Sequence, residues 1–185
     1  MDKLEPKIGR LLLSEPFLTD LHFKRSVILL TEHNEGGSLG FVLNKPISLT
    51  INEAVDDFPT FDSNLYLGGP VRNDSLYFIH TFGDKIEGSI HIKKGLYWGG
   101  NFEQLKDYAL TGQIQPHQVR FFIGYSGWGP QQLENELGHQ SWVVANGRVK
   151  QIMQEPTTTL WKDLLSGMGN EYAILSNFPD NPSMN

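Results

Sequence analysis

Val119-Arg120-Phe121-Phe122-Ile123-Gly124-Tyr125-Ser126-Gly127-Trp128-Gly129-Pro130-Gln131-Gln132-Leu133-Glu134-Asn135-Glu136-Leu137 reads as strand, glycine turn and helix without a break. Val119 to Ile123 is an apolar run of buried-strand character. The next six residues hold three glycines and two aromatics. A helix is predicted from Pro130, because proline suits the first helical turn, where its missing N–H would be unbonded anyway. Pro130, Leu133 and Leu137 share one face and are expected to pack inward. Gln132 and Glu136, four apart, share a flank that can face the glycine turn. Such a turn brings backbone N–H groups close to a ligand; it is also a common way to turn a corner.

Outward from this stretch, the chain reads as strands with helices scattered between them. Strands are expected at Ile8 to Leu13, Leu39 to Leu43, Leu65 to Leu67, Ser75 to Phe82 and Gly88 to Ile92. Val27-Ile28-Leu29-Leu30 is β-branched or apolar throughout and reads as a central strand buried on both faces. Glu32 to Gly37 reads as the turn between it and the strand at Leu39. Ser141 to Ala145 and Arg148 to Met153 read as two strands joined by Asn146-Gly147, a strong hairpin signal. Thr50 and Glu53 have capping-box spacing, so a helix is predicted from Ile51 to Phe58. Asn101 is placed to cap a helix from Phe102 to Leu110, with Gly112 at its stop. Thr159 to Leu165 is a further helix, with Leu160, Leu164 and Leu165 inward and Trp161 at its edge. Without strict βαβ alternation, the pattern predicts an α+β fold: one domain, a curved mixed sheet flanked by helices. Its core is expected over residues 8–176 and an extended tail over 177–185.

Composition excludes several classes. The 185 residues suit one domain, long enough to bury roughly 70% of its unfolded surface. There is no cysteine, which removes disulfides, thiolate metal sites and cysteine nucleophiles. A formal charge of −6 with scattered basic residues argues against direct nucleic-acid binding. The polar N-terminus has no apolar h-region, and no run approaches the ~18 apolar residues of a membrane span. A soluble, cytoplasmic protein with no membrane partner is expected.

Three chemistries can be tested on the residues. Gly124-Tyr125-Ser126 has the context of a nucleophile elbow, but Trp128 stands where that motif needs glycine. Six histidines are present, yet no H-E-x-x-H or EF-hand pattern occurs, so no metal is expected. Gly36-Gly37-Ser38-Leu39-Gly40 lacks the lysine of a phosphate-binding loop. Gly68-Gly69-Pro70-Val71-Arg72 sets backbone N–H groups beside a guanidinium, an anion-friendly pairing, but a tight turn is the better explanation of its glycines. What recurs is a glycine turn with polar or aromatic neighbours, at Glu32 to Gly37, Gly68 to Arg72 and Gly124 to Trp128. Ligands often bind beyond strand ends.

Taken in order, Gly9 to Pro16 with Phe23-Lys24-Arg25-Ser26-Val27, Glu32-His33-Asn34, Gly36 to Gly40, Asn44-Lys45-Pro46, Gly68-Gly69-Pro70-Val71, Gly124-Tyr125-Ser126-Gly127-Trp128, Gln132 to Leu137 and Trp142 resemble the YqgE/AlgH family. The match runs from about Gly9 to Gly169. The resemblance implies a bacterial, cytoplasmic protein with a compact fold of curved mixed sheet and helices. One branch of that family carries a genetic label as a transcriptional regulator, but the present sequence has no helix-turn-helix. Ser126 stands where many relatives have alanine, and Gln131 where glycine is frequent. No catalytic residue is transferred by the resemblance.

The leading expectation is a non-enzymatic regulatory or binding protein for a small ligand or a protein partner, with no cofactor. Its site is expected among the glycine loops, lined by Glu32, His33, Asn34, Arg72, Tyr125, Trp128, Gln132 and Glu136. One alternative is an enzyme using the same cleft, with Glu32 or Glu136 as acid or base and His33 as shuttle. The other is a transcriptional regulator, disfavoured as a direct DNA binder.

Overall fold

The computed structural model describes residues 4–179. Among these, ten strands form one sheet: β1 (Arg10–Ser14), β2 (Val27–Asn34), β3 (Gly37–Val42), β4 (Pro46–Thr50), β5 (Asn64–Leu67), β6 (Val71–His80), β7 (Ile90–Lys93), β8 (Leu96–Trp98), β9 (Val119–Trp128) and β10 (Trp142–Asn146). The helices are α1 (Ile51–Ala54), α2 (Phe102–Leu110), α3 (Gln132–Gly138), α4 (Val149–Ile152), α5 (Leu160–Ser166) and α6 (Asn170–Ser176).

β9, the strand of the opening stretch, organises the sheet. Along one edge it pairs antiparallel with β6, Phe121 opposite Phe78. Its other edge is divided. β5 runs parallel along Phe121 to Ile123, and β3 runs antiparallel along Ser126 to Trp128. The sheet is therefore mixed and the fold is α+β. Gly68 sits where β5 gives way to β3: its N–H donates to the Ile123 carbonyl at 2.9 Å, and its own carbonyl accepts from Val42 N–H at 2.9 Å.

The main path runs β10-β1-β2-β3-β9-β6-β8-β7, and its two ends approach each other without pairing. At the end of β7, Lys93 Nζ donates to the Gly9 carbonyl (3.0 Å) and the Gly147 carbonyl (2.7 Å), which flank β1 and β10. Burial, with Arg10 and Lys7 nearby, holds this ammonium below its usual pKa. The curl encloses a core drawn from strands all along the path, including Leu11, Leu29, Phe41, Ile79, Ile92, Leu96 and Phe122. α5 closes it with Leu160, Trp161, Leu164 and Leu165. Two outer clusters cover the sheet's other face. Leu105 of α2 and Ile51 of α1 pack with Phe121 and Phe78, while Leu133 of α3 packs with Leu12, Ile28, Trp128 and Trp142. Val27 to Leu30 is fully buried, its alternate residues feeding the inner core and the α3 side.

Arg120 points from β9 into the inner side and is 2% exposed. Its guanidinium donates to the carbonyls of Ile152 (2.7 Å) and Gln154 (2.8 Å), pairs with Glu155 Oε1 at 3.3 Å, and lies 4.7 Å from the centre of the Tyr66 ring. Tyr66 Oη donates to the same Glu155 oxygen. Burial, then that hydrogen bond, push the phenol up to about 12. Desolvation lowers the Arg120 pKa. This cation ties the segment after α4 to the sheet.

Several expectations are corrected. Arg148 to Met153 is not a strand: Val149–Ile152 forms α4, and β10 pairs with β1. A Cβ at Gly147 would lie 2.5 Å from Leu11 Cδ1, so this glycine permits close packing and makes no hairpin turn. Ile152, with Val149 three residues before it, faces the inner core, and Gln151 Oε1 accepts from the Arg148 N–H at 3.1 Å. Glu32 to Gly37 is not all turn: β2 continues to Asn34 and β3 starts at Gly37. The capping box of Thr50 and Glu53 forms, but α1 ends at Ala54. α3 begins at Gln132 because Gln131 adopts a left-handed φ of 60°. Trp161 is buried, its indole N–H donating to the Ser14 carbonyl at 3.0 Å. β4, β8 and α6 were not anticipated. Of the expected tail, residues 180–185 lie outside the described residues.

Candidate functional site

The glycine loops do meet, at the end of the sheet near the β2–β3 hairpin. They enclose an open cleft of about 360 Å³, bordered by Glu32, Asn34, Leu39, Val71, Tyr125 and Trp128 with the backbone of Gly36, Gly37 and Gly127. A bulge at Thr31 resets β2, so that Glu32 lies opposite Leu39 and Asn34 opposite Gly37. Glu32 is half-buried, and its carboxylate has no hydrogen-bond or ion-pair partner among the described residues. The Tyr125 ring packs edge-on against Tyr77 at 5.8 Å, and its hydroxyl also has no partner there. Asn34 Oδ1 accepts from Gly36 N–H at 2.8 Å, which tightens the hairpin loop.

Strand alternation divides the remaining expected residues. Successive side chains leave a strand on opposite faces. His33 therefore turns away from Glu32 and Asn34. Its Nδ1 bonds Ser38 Oγ at 2.8 Å, and its Nε2 lies 3.9 Å from Glu134 Oε1 on α3. Trp128, opposite Ser38, borders the cleft, but its indole packs on the α3 side against Phe23 and Trp142.

There Glu136 is the hub of a hydrogen-bonded clamp. Its Oε2 accepts from both indole N–H groups, Trp128 at 2.9 Å and Trp142 at 2.7 Å. Its Oε1 accepts from Gln132 Nε2 at 2.9 Å, and Gln132 Oε1 accepts from Gly129 N–H at 3.0 Å. The flank shared by Gln132 and Glu136 does face the glycine turn, as their spacing predicts. It uses that position to fasten α3 to the sheet. Trp142 was the signal missed in reading this pair: a second indole needed the same acceptor.

Arg72 follows Val71 in a bulge of β6, with φ 49°, and is exposed. It makes no hydrogen bond or ion pair with the described residues and does not line the cleft. Ser126 is fully buried, its hydroxyl donating to the Gly68 carbonyl at 3.0 Å, so it is not presented as a nucleophile. Two glycines show what brings the loops together. A Cβ at Gly37 would lie 2.1 Å from the Trp128 carbonyl oxygen, and one at Gly69 would lie 2.2 Å from Tyr125 backbone atoms. The loops press backbone on backbone.

The arrangement supplies one free carboxylate, an aromatic wall and a phenol in a shallow cleft. Of the pairings in the enzyme alternative, Glu32 and His33 leave β2 on opposite faces, and Glu136, on the same side as His33, is hydrogen-bonded to Trp128, Trp142 and Gln132 rather than to it. Among the described residues, no group of three His, Asp or Glu is placed to hold a metal ion. His80, remote in sequence from these loops, is fully buried. Its Nδ1 accepts from Phe82 N–H at 3.3 Å, which leaves Nε2–H to donate toward Ser89 Oγ (3.0 Å) and the Gly99 carbonyl (3.3 Å). Burial lowers its pKa to about 4, so it is neutral and structural at pH 7.

A family model described as AlgH-like matches residues 11–173. The chain belongs to the AlgH-like family. A UPF0301 protein of Cytophaga hutchinsonii is 46% identical over 96% of this chain and 98% of its own length. One from Chlorobium limicola is 43% identical over 100% and 97%. Among solved structures, a Corynebacterium diphtheriae protein superposes with a TM-score of 0.81 at 24% identity, covering 96% of this chain and 95% of the other. The AlgH protein of Pseudomonas aeruginosa, solved in solution, superposes with a TM-score of 0.72 at 23% identity over 98% and 100%. These structural likenesses establish the AlgH-like fold. No described helix is long and apolar enough to cross a membrane.

Proposed function

We propose that this AlgH-like chain is a non-enzymatic binding protein, working as one domain in the cytoplasm, whose ligand or protein partner enters the cleft at the β2–β3 hairpin. The observation that carries this reading is the unpartnered Glu32 carboxylate beside Tyr125 in an open cleft. The neighbouring polar groups are already committed. Glu136, Gln132 and Trp128 bind one another, His33 binds Ser38, and Ser126 binds Gly68. A carboxylate left over in such a setting is a recognition group. A regulatory role follows if occupancy of the cleft changes what the chain associates with. Direct DNA reading is not part of this proposal, because the −6 net charge opposes phosphate binding.

The test is a thermal-shift screen of the purified chain against amino acids, amines, sugar phosphates, nucleotides and metal ions. A ligand at a hundred times its dissociation constant adds about 2.7 kcal/mol. For a domain of this size that raises the melting temperature by roughly 5–11 °C. Hits are expected to disappear in Glu32→Gln and Asn34→Ala. Hits that persist undiminished in both variants would place the site elsewhere.

A further inference from the structure

We infer that the occupant of this cleft is cationic: a lysine ammonium or arginine guanidinium presented by a basic segment of a partner protein. This inference rests on the binding reading above and adds the chemistry. Among the described residues, Glu32 is the one acidic residue lining the cleft, and no lysine, arginine or histidine lines it. A half-buried carboxylate without a hydrogen-bond donor or cation is an incomplete interaction, and its strongest completion is a charge-assisted bond from an N–H cation. Tyr125 adds the second half of such a receptor. An aromatic face attracts ammonium and guanidinium groups, and a guanidinium also stacks on it. Tyr125 is held in place by Tyr77 at 5.8 Å, so the wall exists before the ligand arrives.

The choice of a partner's side chain over a free amine comes from shape and charge. The cleft is open to solvent, whereas pockets for free small molecules enclose most of their ligand. A shallow acidic cleft suits a long side chain reaching in from a larger body. The surrounding charge complements it. Glu35 lies in the adjoining hairpin loop and the chain as a whole carries −6; the exposed Arg72, next to Val71 of the lining, is the cation set against them. A net negative charge favours the approach of basic partners over acidic ones. A hydrophobic occupant would bury the Glu32 carboxylate unpaired, which is penalised.

The experiment is an amide NMR titration of the full chain at low salt. The probes are three capped tripeptides with a central lysine, arginine or norleucine, and free spermidine. The lysine and arginine peptides are expected to shift the amides of Glu32, Asn34, Leu39 and Tyr125. The norleucine peptide is expected to bind at least about tenfold more weakly, in line with the loss of a hydrogen bond to a charged group. Glu32→Gln, nearly isosteric, is expected to remove that preference. Glu35→Gln, a nearby carboxylate outside the cleft lining, is expected to keep it, which separates a specific contact from general electrostatics. Unchanged amide dispersion in both variants shows that each is folded. Equal binding of norleucine and lysine peptides at these amides would overturn the cationic inference while leaving the cleft as a site. Tighter binding of spermidine than of either basic peptide would overturn the assignment to a partner's side chain. Perturbations confined to amides outside the cleft would overturn the site itself.

Discussion

Replacing Glu136 by alanine removes the acceptor shared by two buried indoles. Trp128 and Trp142 are 6% and 5% exposed, and both donate to Glu136 Oε2. A buried donor left without an acceptor is destabilising by about 1–3 kcal/mol. α3 lies at the surface with Gln132 exposed, so water reaches part of the vacated space and the low half of that range applies to each indole. The two together give about 3 kcal/mol. At about 2–4 °C per kcal/mol for a domain of this size, the melting temperature falls by about 6–12 °C. Urea denaturation, followed in parallel by far-ultraviolet circular dichroism and tryptophan fluorescence, gives the free energy directly. Glu136→Gln keeps the volume and one carbonyl oxygen, and is expected to lose about half as much. Trp142→Phe removes one of the two donors, so its effect and that of Glu136→Ala are expected to couple by about 1 kcal/mol in a double-mutant cycle. A loss below about 0.5 kcal/mol for Glu136→Ala, the ordinary range of a surface substitution, would refute the clamp. So would strict additivity with Trp142→Phe.

Two further predictions concern stability. His80 has a folded pKa of about 4 against an ordinary 6.5, so the unfolded chain binds the extra proton first as pH falls. Its contribution is complete above about pH 6.5 and is lost progressively down to about pH 4, amounting to at most about 3 kcal/mol; urea midpoints of the wild type and His80→Gln across this window should converge toward the acid end, and parallel curves would contradict the assignment. Gln131→Gly relieves a left-handed φ of 60°, a conformation unfavourable for a side-chain-bearing residue by about 1–2 kcal/mol, partly offset by the freedom glycine gains on unfolding; a net gain of about 0.5–1 kcal/mol is expected in the same assay, and a loss would show that the Gln131 side chain contributes contacts of its own.

The sequence by itself determined the elements whose signals are local. Asn101 caps α2 and Gly112 takes φ 70° after it, both as their residue types demand. Thr50 and Glu53 form their box. The apolar runs became strands because alternation and β-branching need no distant partner to be read. The α+β class and the family were legible for the same reason, since an ordered set of short motifs survives without any knowledge of contacts. What tertiary structure decided was which side of the sheet each side chain serves. One extra residue at Thr31 sends Glu32 and Asn34 into the cleft and His33 behind it. The pairing of Ser38 with Trp128 sends that indole to Glu136. Asn146-Gly147 gives the same lesson: a hairpin signal in isolation, it is in the fold the place where β10 passes against Leu11 and a helix begins. Register and close backbone approach are properties of pairs far apart in the chain, and no local pattern carries them.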